Sequence, residues 1–211
     1  MKTLFCIALP LALSPILSAQ KAEVKHRVEV KEVKVEVQQT PLFQVTGPKE
    51  KRIDPKYWIE IEAELEVETK EGRGVVPFIS ELQATWYAVI KDEVGEKREP
   101  VLLKGRSEYR MVRTAGGEAF LSAYIEPNVL ERLTGKERPS ESDLLAFAVV
   151  VSGTDIATEG KFAKELFKSE GEKGKWWENW KREIKEDFIV PKSTTPFAPL
   201  WADRYPPEKV E

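Results

Sequence analysis

Three groups of residues have the types and spacing to do chemistry. His26 is the only histidine, and an imidazole becomes a general base only beside a nucleophile and a group that orients it. Nothing in the sequence sets such partners near it, so His26 is expected to be a solvated strand residue. The second group is the row Glu60, Glu62, Glu64, Glu66 and Glu68. Calcium needs oxygen ligands converging from a loop, whereas same-face strand residues diverge, roughly 7 Å apart by strand rise. The same divergence argues against a glycosidase carboxylate pair facing across a cleft. A solvated glutamate face is expected, with no catalytic residue, no metal site and no cofactor. The third group is aromatic: Trp176, Trp177, Trp180, Trp201 and Tyr205. Such rings anchor a protein partner or stack on a glycan. For the first three, packing onto the body of the domain is the stronger expectation. Adjacent Trp176 and Trp177 would point about 100° apart on a helix, which leaves one of them marginal.

The elements that must position these residues are mostly strands. Tyr57–Thr69 alternates Ile59, Ile61, Ala63, Leu65 and Val67 with the glutamates, the period of two that marks a half-buried strand. In Ala22–Val37 the valines Val24, Val28 and Val30 share one parity and Val33, Val35 and Val37 the other. The switch at Lys31-Glu32 predicts a β-bulge or bend. Its mixed charges suit it to flank the glutamate row and relieve its repulsion. Leu82–Ile90 is apolar on both faces, as a central strand would be, and Leu144–Val151 reads as a strand buried on both faces. Pro127–Leu133, with Gly135 just beyond, predicts a short helix. Phe162, Leu166 and Phe167 in Lys161–Ser169, and Trp176, Trp177, Trp180 and Ile184 in Lys175–Asp187, fall at helical spacing. Pro191–Pro207 is too proline-rich for regular structure, yet it carries Phe197, Leu200, Trp201 and Tyr205, which are costly to leave in water. The tail is therefore expected to cover an edge strand or a sheet face. Gly72-Arg73-Gly74 and Gly116-Gly117 lack the strand–loop–helix context of a phosphate cradle and read as hairpin turns.

Bulk properties narrow the class. Lys2 precedes a short apolar run to Leu17, broken by Pro10 and Pro15, and Leu17-Ser18-Ala19 offers small residues for cleavage. That is the anatomy of a secretory signal, too short to span a bilayer. The single cysteine, Cys6, lies within it, so the mature chain is expected to carry no disulfide and no thiolate chemistry. With 33 basic against 36 acidic residues, interspersed along the chain, there is no electrostatic footprint for nucleic acid.

Thr85-Trp86-Tyr87-Ala88-Val89, the Trp176-Trp177 pair and the tail Thr195-Pro196-Phe197-Ala198-Pro199-Leu200-Trp201-Ala202-Asp203-Arg204-Tyr205 together resemble the pilus-like envelope protein family of Akkermansia and related Verrucomicrobia. The resemblance implies an immunoglobulin-like β-sandwich associated with a type IV pilus system, and not an enzyme. Trp86 matches the tryptophan that fills the core of such sandwiches, here without a neighbouring disulfide. The long apolar N-terminal helix of pilins proper is missing, which favours an accessory role over a shaft subunit.

The expected architecture is thus mainly β. Residues 1–19 form a cleaved signal peptide and residues 20–160 an antiparallel immunoglobulin-like β-sandwich. Residues 161–211 form an extension with two short C-terminal helices and an ordered proline-rich tail packing on the sandwich. The expected role is a non-enzymatic interaction module of the bacterial envelope, placed in the periplasm, at the outer membrane or at the cell surface. Its partners would be pilus or outer-membrane proteins, with no transmembrane span in the mature chain. The alternative is a carbohydrate-binding module that stacks glycan on Trp176, Trp177, Trp180 or Trp201.

Overall fold

The computed structural model describes residues 26–42, 54–69, 77–157 and 166–209. The expected signal segment with Cys6, the Gly72-Arg73-Gly74 turn and residues 161–165 lie outside these described residues. The described residues form eight strands: β1 (Arg27–Gln39), β2 (Tyr57–Glu68), β3 (Phe78–Lys91), β4 (Pro100–Arg113), β5 (Glu118–Ile125), β6 (Leu144–Gly153), β7 (Phe167–Glu170) and β8 (Ile184–Pro191). One α-helix, α1 (Pro127–Thr134), follows β5.

Most of the local readings hold for the reasons that produced them. β1 pairs antiparallel with β2, with Lys34 opposite Glu62 and Arg27 opposite Glu68, and its register shifts between Val30 and Glu32. Val28, Val30 and Val33 are all buried, so the bulge lets both parities face the core. β3 is central, flanked by β4 and β6. Its Trp86 is fully buried, and the indole donates to Ser107 Oγ at 3.2 Å. Helix α1 begins at Pro127 and ends where Gly135 takes a left-handed φ of 69° and donates to the Glu131 carbonyl. It inserts Val129, Leu130 and Leu133 into the main core.

The sandwich expectation is corrected. The strands form one mixed sheet in the order β1-β2-β5-β8-β4-β3-β6-β7, not two antiparallel sheets. The reason is β8. Without it, β1-β2-β5 and β4-β3-β6-β7 would be separate antiparallel sheets facing each other across the core. β8 runs antiparallel to β5 and parallel to β4 and joins them. At the far side His26 forms a parallel bridge to Ile156. Its N–H donates to the Asp155 carbonyl at 2.7 Å, and its carbonyl accepts from Ala157 at 2.8 Å. The sheet is therefore a nearly closed barrel around one core.

Both expected C-terminal helices are corrected as well. In the described part of Lys161–Ser169, residues from Phe167 belong to strand β7, paired with β6. In Lys175–Asp187 only Trp176–Asn179 is helical, as a single 3-10 turn, and Ile184 opens β8. The three-and-four spacing of the aromatics comes from a compact loop whose rings fold back on the sheet. Three described segments pack the outer surface of the barrel. β7 and the 3-10 turn cover Tyr87, Val89, Leu102, Ala146 and Ala148, and the tail covers Trp58 and Tyr124.

Candidate functional site

The glutamate row acquires a site where the tail crosses it. Alternation places Trp58, Glu60 and Glu62 on the outer face of β2, beside Tyr124 of β5, which is paired with Glu60. The tail brings Phe197 onto this face. Its ring stacks on Tyr124 at 4.8 Å and meets Trp58 edge-on at 5.8 Å. Lys192 is buried and pins the loop by donating to the carbonyls of Ala198 at 3.0 Å and Leu200 at 2.6 Å. Burial draws its ammonium below the usual lysine range. Beyond the loop, the Glu208 carboxylate accepts from the N–H groups of Lys192 and Ser193. The chain then pairs with the stretch of β4 beyond β8, through Arg110 N–H to the Pro207 carbonyl and Lys209 N–H to the Glu108 carbonyl. The tail thus covers a sheet face and a sheet edge, as its composition predicts.

Under this cover Glu60 is only 5% exposed, against the expectation of a solvated carboxylate. Its oxygens accept from the Tyr124 hydroxyl at 2.5 Å and from Gln38 Nε2 at 3.0 Å, with the Tyr205 hydroxyl at 3.5 Å. Burial pushes the Glu60 carboxyl above its ordinary range, and its hydrogen bonds only partly oppose the shift. Burial and the neighbouring carboxylate likewise raise the Tyr124 hydroxyl. Glu62 accepts from Arg204 Nε at 3.2 Å and Nη2 at 2.8 Å, and also from the Tyr205 hydroxyl. Arg204 lies 3.7 Å from the Phe120 ring centroid, which adds a cation–π contact. Between the tail and β1–β2 remains a cleft of about 240 Å³. Lys34, Glu36 and Gln38 line it from β1, Glu60 and Glu62 from β2, and Trp201, Arg204 and Tyr205 from the tail. Its chemistry suits binding: donors, acceptors and aromatic surface sit together, and every ionised group has a partner nearby.

The structure divides the aromatic candidates. Trp201 and Tyr205 meet in this cleft, and Trp201 is 52% exposed. Trp176, Trp177 and Trp180 lie elsewhere, over β3 and β6. Trp177 is buried, stacked on Tyr87 at 5.1 Å and 15°. Trp176 meets Trp177 at 83° and Trp180 at 67°, so the three rings share no plane and offer no flat platform for a sugar. His26 is buried at 2% exposure, not solvated, and its Nδ1 lies 3.0 Å from Thr69 Oγ1. Its ring sits at the seam that closes the barrel. The parity that His26 shares with Val28 and Val30 is the signal for that burial. Gln38, Lys34 and Arg204 carry no comparable signal, because only the path of the tail brings them together.

A protein-family model matches residues 19–211. Among solved structures, a crystal structure of a protein from Akkermansia muciniphila is similar. It is 24% identical, the match covers 89% of this chain and 95% of that one, and the TM-score is 0.71. That likeness concerns the fold. No curated protein matches the chain.

Proposed function

Since the chain belongs to the family whose model spans residues 19–211, in keeping with its resemblance to Akkermansia envelope proteins, we propose that it is an exported, non-enzymatic interaction module of the bacterial envelope, accessory to a type IV pilus system. The observation that carries this reading is the edge of β1 away from β2, where among the described residues backbone pairing is confined to His26. β1 runs for 13 residues and pairs with β2 on one side. On the other side it faces β7, a strand of four residues that pairs with β6. Among the described residues no ladder joins β1 to β7. A strand edge with no ladder among the described residues is a template for strand addition by a partner, with backbone hydrogen bonds supplying affinity and alternate side chains supplying specificity. The outward residues Glu32, Lys34 and Glu36 are exposed and would give that docking its charge pattern. His26 supports the non-enzymatic reading, since its backbone and ring serve the seam and do not open on the cleft. No described helix is long and apolar enough to cross a membrane.

Site-specific photocrosslinking tests this. A crosslinker placed at Glu32 or Lys34 should capture a pilus or outer-membrane protein in intact envelopes, while one at Arg132 on α1 should not. Equal labelling from both positions, or none from β1 together with a monomer that recovers no envelope component, would refute the reading.

A further inference from the structure

The cleft between the tail and β1–β2 shares Lys34 and Glu36 with the edge of β1, but its chemistry identifies a different kind of ligand. We propose that this cleft is a binding site for a neutral saccharide, taking about one sugar ring between Trp201 and the polar side chains of β1 and β2.

The volume, about 240 Å³, is on the scale of a single ring and excludes a folded partner. The walls combine three kinds of contact. Trp201 presents an exposed indole, the only tryptophan or phenylalanine among the described residues that is so exposed. Its backbone sits at a φ of 52°, a region costly for a bulky side chain. The N–H groups of Arg204 and Tyr205 both donate to its carbonyl and hold it there. Strain of this kind persists where surrounding bonds over-determine it, and it concentrates at ligand sites. In the same lining, the Gln38 amide bridges Glu36 and Glu60 through its Nε2, at 3.1 and 3.0 Å. The carboxylates accept and the Lys34 ammonium donates, while both Nε2 hydrogens of Gln38 are given to Glu36 and Glu60.

Charge decides between ligand classes. Glu62 is already satisfied by Arg204 and Tyr205, and Glu60 is buried under Tyr124 and Gln38. Lys34 pairs with Glu32 at 2.9 Å. A cationic side chain would meet Arg204 and Lys34 as well as Glu36, and an anion would meet the glutamates, so either meets like charge. A polyol needs donors and acceptors at once and an apolar plate for its C–H face. That is the combination present, with a few fixed polar groups beside aromatic surface.

The test is an NMR titration of the isotope-labelled chain with glucose, galactose, N-acetylglucosamine and their β-linked disaccharides. At least one sugar should shift the Trp201 indole and Gln38 amide resonances, with a dissociation constant of about millimolar for so small and open a site. Trp201→Ala should weaken binding by about tenfold or more, the scale of losing one buried aromatic anchor, with thermal unfolding unchanged. Gln38→Ala should weaken it too, which guards against a folding defect in the first variant. Trp176→Phe, on the other aromatic patch, should leave affinity intact. Three outcomes would overturn the proposal: no shift at the cleft well above millimolar sugar, binding that survives both cleft variants, or saturation of the same resonances by a lysine-rich peptide in place of sugar.

Discussion

Glu60 shows how one residue can be read correctly in orientation and wrongly in environment. Alternation puts it on the outer face of β2, and it is there, but the tail turns that outside into an interior. The consequence is a pH dependence of known sign. Because burial raises the folded-state pKa of Glu60, folding favours its protonated form. Its contribution is then most favourable below the unfolded carboxyl range and is lost as pH rises through the folded value. Glu60→Gln keeps an acceptor for Tyr124 and removes the ionisation. Relative to wild type it should therefore gain stability as the pH is raised from acid to neutral. Asp155, held low by its hydrogen bonds to Ser80, drives the opposite slope in both proteins and cancels in the comparison. Glu60→Ala should cost about 1–3 kcal/mol relative to Glu60→Gln at any pH, since the Tyr124 hydroxyl and Gln38 amide lose a buried acceptor. Urea unfolding of the three proteins across this pH range checks both expectations. A difference between wild type and Glu60→Gln that does not change with pH would mean that Glu60 titrates in the folded chain as it does unfolded.

Among the elements, β1, β2, β3, β6 and α1 were legible because each carries its own signal: period-two alternation, a two-faced apolar run, or proline before and glycine after a short amphipathic stretch. β8 was not. Ile184–Pro191 contains Glu186 and Asp187 and has a single buried residue, Ile189, so no local pattern marks it as a strand, and the tryptophans before it mimic helical spacing. What makes it a strand is the gap between β4 and β5, a property of the fold and not of the segment. One residue of β4 does record its presence. Gly105 pairs with Ile189, and a Cβ there would lie 1.9 Å from the Ile189 carbonyl oxygen. Glycine is needed for that close approach. Gly105→Ala should force β8 away from β4 and cost about 1–3 kcal/mol or more, the range for overpacking in a tight site. Hydrogen exchange should localise the loss to β8 and the Leu102–Ile184 end of the ladder, leaving β1–β2 protected. Uniform loss of protection, or none, would mean that the β4–β8 contact is not the joint that holds the two halves.

At the scale of the whole molecule, the division between a body at residues 20–160 and an extension at 161–211 becomes a question about independent folding. The later residues supply β7 and β8, the latter joining β1-β2-β5 to β4-β3-β6 in one sheet, and the aromatic covers of two outer patches. Burying Phe197 and Trp177 removes roughly 150–250 Å² each. At about 25 cal/mol per Å² that is on the order of 4–6 kcal/mol apiece, an upper bound because unfolded chains are partly collapsed. Two such residues together rival the roughly 5–15 kcal/mol that holds a typical domain folded. Their loss would also expose Trp58, Tyr124, Tyr87 and Leu102, and would leave β4 and β5 as open, flat edges prone to pairing between molecules. Residues 20–160 expressed alone should therefore bind a hydrophobic dye, unfold without a cooperative transition and self-associate. Adding residues 161–211 as a separate chain should restore cooperative unfolding if the contacts across β8 and the tail are what was missing. A truncated chain that stays monomeric, melts sharply and keeps the near-ultraviolet signature of packed tryptophans would show that the body closes without β8. The extension would then be an accessory laid on a finished fold.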